Sequence, residues 1–583
     1  MSEATVGQRA ADNLQQAVAL HCNGRLVEAQ RLYEAILRVE PRNFNALHLL
    51  GVLAAQTGNP RKAVELIDQA IAIDPGNAVP YSNRGAALRQ LRQLEAARES
   101  YDQAIALQPD YADAHREQGN VLRELGQSQA ALASYERAIR LRPGDAEAYF
   151  QRGNAQHDLH DWHAALASFW RATQLRRGFA EAHLNRGAAF RELGDLDGAL
   201  EEYGKAIAAN PEYAEAHFNR ANALLQLRQM EPAISAYERA VAIRPDYAQA
   251  HFNLAVAELL VGRFERGWRG YEWRWKLAGA SIAADRRLFR QPLWLGNQPL
   301  AGRTLLLIGE QGLGDTLQFC RYAPAVAALG ARVLLEVPAT LAPLLRSLDG
   351  VSEVFVRGEP LPSFDCYCPL MSLPLACGTS LLTIPSAAPY LRPDARKTLE
   401  WQQKLGDSRR LRVGLVWSGG FRPHQPEVWA ANSRRNVPLS KFAALRHPSI
   451  EFYSLQKGEP AESELARLIG EGWDGPQLRD LGGELHDFSD TAALVQVLDL
   501  VITVDTAIAH LAGALARPVW ILNHFDACWR WQLGRSDSPW YPSATLYRQR
   551  RAGDWDEVVE AVRNDLHAQV GPSVAALARP EQR

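Results

Sequence analysis

Between residues 10 and 275 the chain keeps a beat of 34 residues. Prolines mark it at Pro41, Pro75, Pro109 and Pro143, then at Pro211 and Pro245, with Arg177 standing where the series skips one. Small residues hold the same phase at Gly51, Gly85, Gly119, Gly153 and Gly187, followed by Ala221 and Ala255. Alanines recur at Ala63, Ala97, Ala131, Ala165, Ala199 and Ala233, and aromatics at Tyr101, Tyr135, Phe169, Tyr203, Tyr237 and Tyr271. A period of this length means a unit that cannot bury its apolar face alone and does so by stacking on its neighbours. Small residues let the two helices of a unit approach closely, the aromatic wedges between units, and proline closes the second helix.

This pattern resembles the tetratricopeptide repeat family, with seven repeats and a partial eighth. The eighth ends in Trp268, Tyr271, Trp273 and Trp275, an aromatic cluster expected to bury the end of the solenoid against the next domain. Asn83, Asn185, Asn219 and Asn253 share one place on the first helix of their repeats, and Gln151 is there too. A carboxamide donates and accepts, so a row of them can pair with the backbone of an extended peptide. The row resembles one in the repeat region of O-linked N-acetylglucosamine transferases, which implies a protein acceptor held on the concave face. The competing reading is that Asn favours first-helix packing, and Glu117 and Leu49 break the row.

At 583 residues the chain is too long for one core. A formal charge of −2 argues against a general nucleic-acid binder, which needs a basic face. Six cysteines are scattered without metal-ligand spacing, and Cys366 and Cys368 alternate along an apparent strand, so no metal site is expected. The first residues lack an apolar signal region, and no stretch approaches a membrane span, which leads to the expectation of a cytoplasmic protein.

Beyond the repeats, Thr304–Ile308 reads as a buried parallel strand and is followed by Gly309, Gly312 and Gly314, then Asp315-Thr316 and a helical pattern. Strand and helix signals alternate from there to residue 390, and the pattern restarts at Arg412. The expected fold class is therefore α + α/β: an all-α solenoid, then two Rossmann-like α/β lobes with a cleft at the carboxyl ends of their sheets. The boundaries are a tail at 1–9, the solenoid at 10–275, a docked connector at 276–300, a first lobe at 301–390, a crossing at 391–410, a second lobe at 411–548, and a helix and tail at 549–583.

Four segments carry a second resemblance: Gly309–Thr316, Arg435–Leu439, Ser454–Gly458 and Val504–Leu515. Together they are similar to bacterial GT-B glycosyltransferases of the heptosyltransferase-like group. Residues 526–531 and 538–542 look like the variant of that domain fused behind tetratricopeptide repeats. The resemblance implies an enzyme that moves a sugar from a nucleotide sugar, as co-substrate, to an acceptor without a metal or other cofactor, with an inverting outcome. It makes Asp315 the base, with Gly312, Gly314 and Thr316 forming the acceptor-side loop. Helix capping is the alternative for Asp315. On the donor side, Thr506 and Ala507 open a helix whose N–H groups can take phosphate, Asp505 caps or reaches a ribose, and His510 lies one turn on. Core packing is the alternative for His510. Arg435 and Lys457 are the cations for the leaving group, or else surface charges, and Gly419 lets backbone approach a ligand. The loop from His424 to Asn432, with Trp429, departs from the family pattern. Because a solenoid suits a protein acceptor, transfer to Ser or Thr of a protein is expected, and the resemblance to repeat-fused bacterial transferases that modify flagellin implies flagellin or another surface protein as that acceptor. The rivals are a scaffold with an inactive transferase domain and a transferase acting on lipopolysaccharide or another glycan.

Overall fold

The computed structural model describes residues 3–277, 289–420, 433–526 and 528–570. The chain forms two compact units that divide between Gln229 and Met230. The regular structure of the first is thirteen α-helices, from Glu3–Cys22 to Ala214–Gln226. Within the span expected as a tail, 1–9, the first helix runs back to Glu3.

Inside a repeat the aromatic lies over the glycine of its own helix pair. A β-carbon on Gly119 would come within 2.5 Å of the Tyr135 ring, and one on Gly153 within 2.6 Å of Phe169. Both rings are fully buried. Adding a methyl at such a contact overpacks the pair by about 1–3 kcal/mol, which explains why the small residue and the aromatic keep phase. The turn between the two helices requires a left-handed residue. Gly58, Gly126 and Gly194 supply it, whereas Arg92 and His160 hold the same place at φ 60° and 61°.

The second unit opens with three more helices, Met230–Ile243, Ala248–Leu260 and Phe264–Tyr271. Trp268 and Tyr271 are buried in one core with Phe319, Trp529 and Trp540. Trp273 instead stacks on His251 at 3.8 Å, and Trp275 lies under the Arg274 guanidinium at 4.3 Å. In the connector, residues 278–288 lie outside the described set; Trp294 beyond them is buried, and its backbone N–H donates to the Tyr367 carbonyl at 2.8 Å.

Two parallel sheets follow. The first contains β1 (Thr304–Ile308), β2 (Arg332–Val337), β3 (Val351–Val356) and β4 (Cys366–Pro369) in the order β3-β2-β1-β4. The second contains β5 (Leu411–Val416), β6 (Ile450–Ser454), β7 (Leu478–Asp480), β8 (Leu500–Val504), β9 (Val519–Asn523) and β10 (Ala544–Arg548) in the order β10-β9-β8-β5-β6-β7. Read from the other edge, that is the doubly wound order of a Rossmann sheet. Strand order reverses between β1 and β4 in one sheet and between β5 and β8 in the other. Ligands of open α/β sheets bind outside the carboxyl ends of strands at such reversals. The crossing at 391–410 contains the helix Ala395–Leu405, and the helix Asp556–Val570 follows β10.

Candidate active site

Both reversal points open on one cleft of about 500 Å³. From the first sheet, the turn after β1 contributes Gly312, Gly314 and Asp315. From the second, the end of β5 contributes Gly419 and Gly420, and the end of β8 contributes Asp505, Thr506, Ala507 and His510. Arg435 completes the residues expected from sequence. Thr316 is fully buried beneath the loop, its hydroxyl donating to the Gly312 carbonyl at 3.4 Å.

The two lobes meet through glycine. A β-carbon on Gly314 would lie 2.7 Å from the His510 ring and 3.4 Å from the Ala507 Cα. The Leu313–Phe319 and Ala507–Ala514 helices therefore touch by their starts. Thr506 caps the second of these helices, its hydroxyl accepting from the Ile508 N–H at 3.3 Å and bonding the Thr503 hydroxyl at 2.9 Å.

Asp315 is held at both oxygens. Oδ2 accepts from the Gly312 N–H at 2.8 Å, which caps its own helix, and Oδ1 pairs with Arg530. The Arg530 side chain is only 11% exposed and spends its remaining donors on Gln318 Oε1 at 2.8 Å and Cys528 Sγ at 3.0 Å. Its guanidinium lies 4.3 Å over the Trp529 ring. Sequence reasoning singled out the stretch around Cys528 for its resemblance yet assigned Arg530 no role. The signal available was an arginine flanked by two tryptophans, the setting for a stacked, ion-paired guanidinium.

His510 is buried against the Trp531 ring, and its Nδ1 bonds the Tyr541 hydroxyl at 2.9 Å. Burial pushes its imidazole well below the usual range, and Arg530, Arg321 and Arg435 push it the same way, so it is neutral at physiological pH. The Arg435 guanidinium packs against Gly419, where a β-carbon would sit 2.5 Å from Nη2, and its buried Nε has no partner. His524, also missed from sequence, lines the cleft with its Nδ1 unpartnered, and burial lowers its pKa. Arg434 pairs at 3.9 Å with Asp526 at the rim.

Lys457 is not in this cleft. Its ammonium donates to the Leu485 carbonyl and lines an adjoining recess of about 360 Å³, walled by Val416, Leu455, Phe488 and Ile508. The recess and the cleft share Leu313, Gly420, Thr506 and Ala507, so they are continuous across the start of the Ala507–Ala514 helix. The loop His424–Asn432 lies outside the described residues.

Beneath Asp315 the same turn is anchored by a buried ion pair. Glu310 accepts from Arg274 at 2.8 and 3.2 Å and from the Met371 N–H at 3.1 Å. Arg274 also reaches Glu272 at 2.6 Å and the Ser372 hydroxyl at 2.7 Å. Burial raises the Glu310 carboxyl, while Arg274 opposes that shift.

The repeat asparagines are half-buried and partly engaged. Asn83 Nδ2 bonds His48 Nε2 at 2.8 Å, Asn185 donates to Asn154 at 2.7 Å, and Asn253 accepts from Gln249 at 2.8 Å. Asn219 is half-buried as well.

Residues 438–522 match the family model of glycosyltransferase family 9 (heptosyltransferase). Tetratricopeptide repeat models match residues 14–78, 150–206 and 232–267, residues 78–111 and residues 214–247, and a TPR repeat model matches 119–160 and 187–228. Protein FlbA of Caulobacter vibrioides is 30% identical over 335 residues, 52% of this chain and 53% of that protein. The chain thus spans about half the length of the curated relative it matches. The crystal structure of MamA is 28% identical and covers 28% of this chain and 96% of its own, with a TM-score of 0.27. That of the TPR protein YrrB is 27% identical and covers 32% and 96%, with a TM-score of 0.29. The chain therefore carries tetratricopeptide repeats together with a glycosyltransferase family 9 segment.

Proposed function

We propose that the protein is a GT-B glycosyltransferase that moves a sugar from a nucleotide sugar to a Ser or Thr hydroxyl of a protein held by its repeats, flagellin or another surface protein. The observation that carries this reading is the shared cleft. The residues of its second-lobe wall from Asp505 to His510 fall inside the family 9 match and stand at the switch point of a Rossmann-ordered sheet. The start of the Ala507–Ala514 helix and the Arg435 guanidinium, with its unpartnered Nε, suit a diphosphate. The apolar recess beside it, with Lys457 at its edge, suits the nucleobase and ribose.

In this scheme the acceptor hydroxyl approaches Asp315, whose carboxylate takes its proton as the oxygen attacks the anomeric carbon. The bond from that carbon to the phosphate oxygen breaks, and the nucleoside diphosphate leaves with the charge that Arg435 and the helix start stabilise. A single displacement of this kind inverts the anomeric centre, and no step calls on a metal. For Asp315 to accept a proton its bond to Arg530 must loosen, and an incoming diphosphate is a competing anion for that guanidinium.

A second reading has an observation of its own. Both oxygens of Asp315 are engaged, by Gly312 and Arg530, as expected of a residue that caps a helix and locks two lobes. The activity is tested by incubating the full chain with a panel of nucleotide sugars and candidate surface proteins, reading nucleotide release and the acceptor's intact mass. Absence of binding and turnover across uridine, guanosine, adenosine and cytidine donors would sink the enzyme reading. Unchanged acceptor binding after Asn83, Asn185, Asn219 and Asn253 are replaced by Ala would remove the asparagine row from it.

A further inference from the structure

The 34-residue pattern fails at two places in the same repeat, and both failures border one groove. At the position held by Trp170, four other repeats carry an acid, Asp68, Asp102, Glu136 and Glu238, while the next repeat carries Gly204. Twice that acid is the partner of the residue sixteen places on, with Arg84 donating to Asp68 at 2.6 Å and Gln118 donating to Asp102 at 2.6 Å. Here the corresponding residue is Arg186, and across from it stands an indole. Arg186 turns to Glu202 at 3.2 Å instead, which leaves its buried Nε without a partner. The second failure is Arg177, which replaces the proline of the series, is exposed, and makes no ion pair among the described residues.

Trp170, Arg177, His183, Arg186 and Lys205 line a groove of about 390 Å³. Trp170 is 47% exposed, the one exposed tryptophan among the described residues. Three permanent cations, Arg177, Arg186 and Lys205, face two carboxylates. Glu202 is buried and bonds His183 at 2.8 Å and Lys205 at 2.8 Å, and Glu201 holds Lys205 at 2.6 Å. Removing the acid from position 170 thus leaves the groove with an excess of positive charge, an unfilled guanidinium donor and an uncovered aromatic face.

We propose that this groove is a docking site for an acidic segment of a partner protein, in which a carboxylate side chain takes the place of the acid missing at position 170 and a neighbouring apolar side chain covers Trp170. The partner supplies in trans what Asp68 and Asp102 supply within the chain in their own repeats. A carboxylate is favoured over a phosphate because the vacancy in the pattern is that of Asp or Glu, and charge-assisted bonds to Arg186 and Arg177 give it direction. The site is independent of the glycosyltransferase reading, since none of its residues belongs to the cleft.

The test uses the full chain and three fluorescein-labelled capped hexapeptides, Gly-Ser-Glu-Phe-Ser-Gly and the versions with Gln or phosphoserine in place of Glu, read by anisotropy. The Glu peptide is expected to bind about tenfold more tightly than the Gln peptide, the difference that one charge-assisted bond provides. Trp170→Glu, which restores the residue type found at Glu136 and Glu238 and is therefore compatible with the fold, is expected to abolish that preference, and Arg177→Pro to weaken it severalfold. Equal binding of the Glu and Gln peptides, an undiminished preference in Trp170→Glu, or a phosphoserine peptide binding more than tenfold tighter than the Glu peptide would each overturn the proposal.

Discussion

The pairing of Asp315 with Arg530 makes the two roles of the aspartate separable by a double-mutant cycle. Asp315→Asn keeps the shape of the cap but leaves the Arg530 guanidinium, 11% exposed, without its counter-charge. Breaking one side of a buried pair costs about 3–5 kcal/mol; because Asp315 retains 18% exposure, the lower end, about 3 kcal/mol, is the value to expect. Arg530→Met alone should cost a comparable amount, since it strands the carboxylate and the Gln318 acceptor. In the double variant Asp315→Asn, Arg530→Met no uncompensated charge remains, and a coupling energy of about 2–3 kcal/mol should return most of the stability. Urea unfolding read by tryptophan fluorescence measures this side of the cycle. The other side is turnover of a nucleotide sugar at saturating donor. A base contributes about 10²–10⁴-fold, so Asp315→Asn and the double variant should both be slowed by that factor although only the first is unstable. If the double variant recovers activity along with stability, Asp315 is a lock and the catalytic assignment is refuted.

Other expectations follow from the same geometry. Arg274→Met should destabilise the protein by about 3–5 kcal/mol in urea melts because Glu310 is left buried, whereas Arg274→Met with Glu310→Met should recover much of that loss. His510 is held neutral in the fold, with its pKa depressed below the unfolded value near 6.5, so its contribution is complete above that pH and is lost as pH falls. Comparing wild type with His510→Gln, the wild type should lose stability more steeply below about pH 6.5, by up to about 1.4 kcal/mol per pH unit; parallel curves would contradict a neutral buried imidazole. Gly419→Ala meets only the movable end of Arg435, so melting should be unchanged while donor KM rises about tenfold. Gly314→Ala meets the packed His510 ring and the Ala507 backbone and should lower stability by about 1–3 kcal/mol.

What could be read in advance divides along physical lines. The repeats were legible because Gly85, Gly119, Gly153 and Gly187 are each forced by a ring in their own helix pair, so packing writes the period directly into the chain. Strands β1, β2, β8 and β9 were legible because burial on both faces leaves a mostly apolar run, broken only by the buried Glu336 in β2 and Thr503 in β8 and by residues at the strand ends. Strands β7 and β10 went unnamed, since β7 has only three residues, largely exposed, and both lie at sheet edges where burial imposes less pattern. The cleft residues at strand ends were found because glycine and a helix start have local signatures. Arg530 and His524 have none; their positions depend on where a tryptophan-rich loop is laid down by the fold. Lys457 was named from its motif, but its place in the recess rather than the cleft depends on a carbonyl 28 residues away.

The buried Arg274–Glu310 link has a consequence for recombination. Arg274 follows the last repeat helix, yet its charge is neutralised by the turn that presents Asp315. Exchanging repeat cassettes between such proteins at residue 276 would separate these two charges and leave the turn resting on a stranded carboxylate. A splice at residues 229 and 230, where the compact units divide, keeps the final three helices with their partner and is the natural joint for giving the transferase region a new set of repeats.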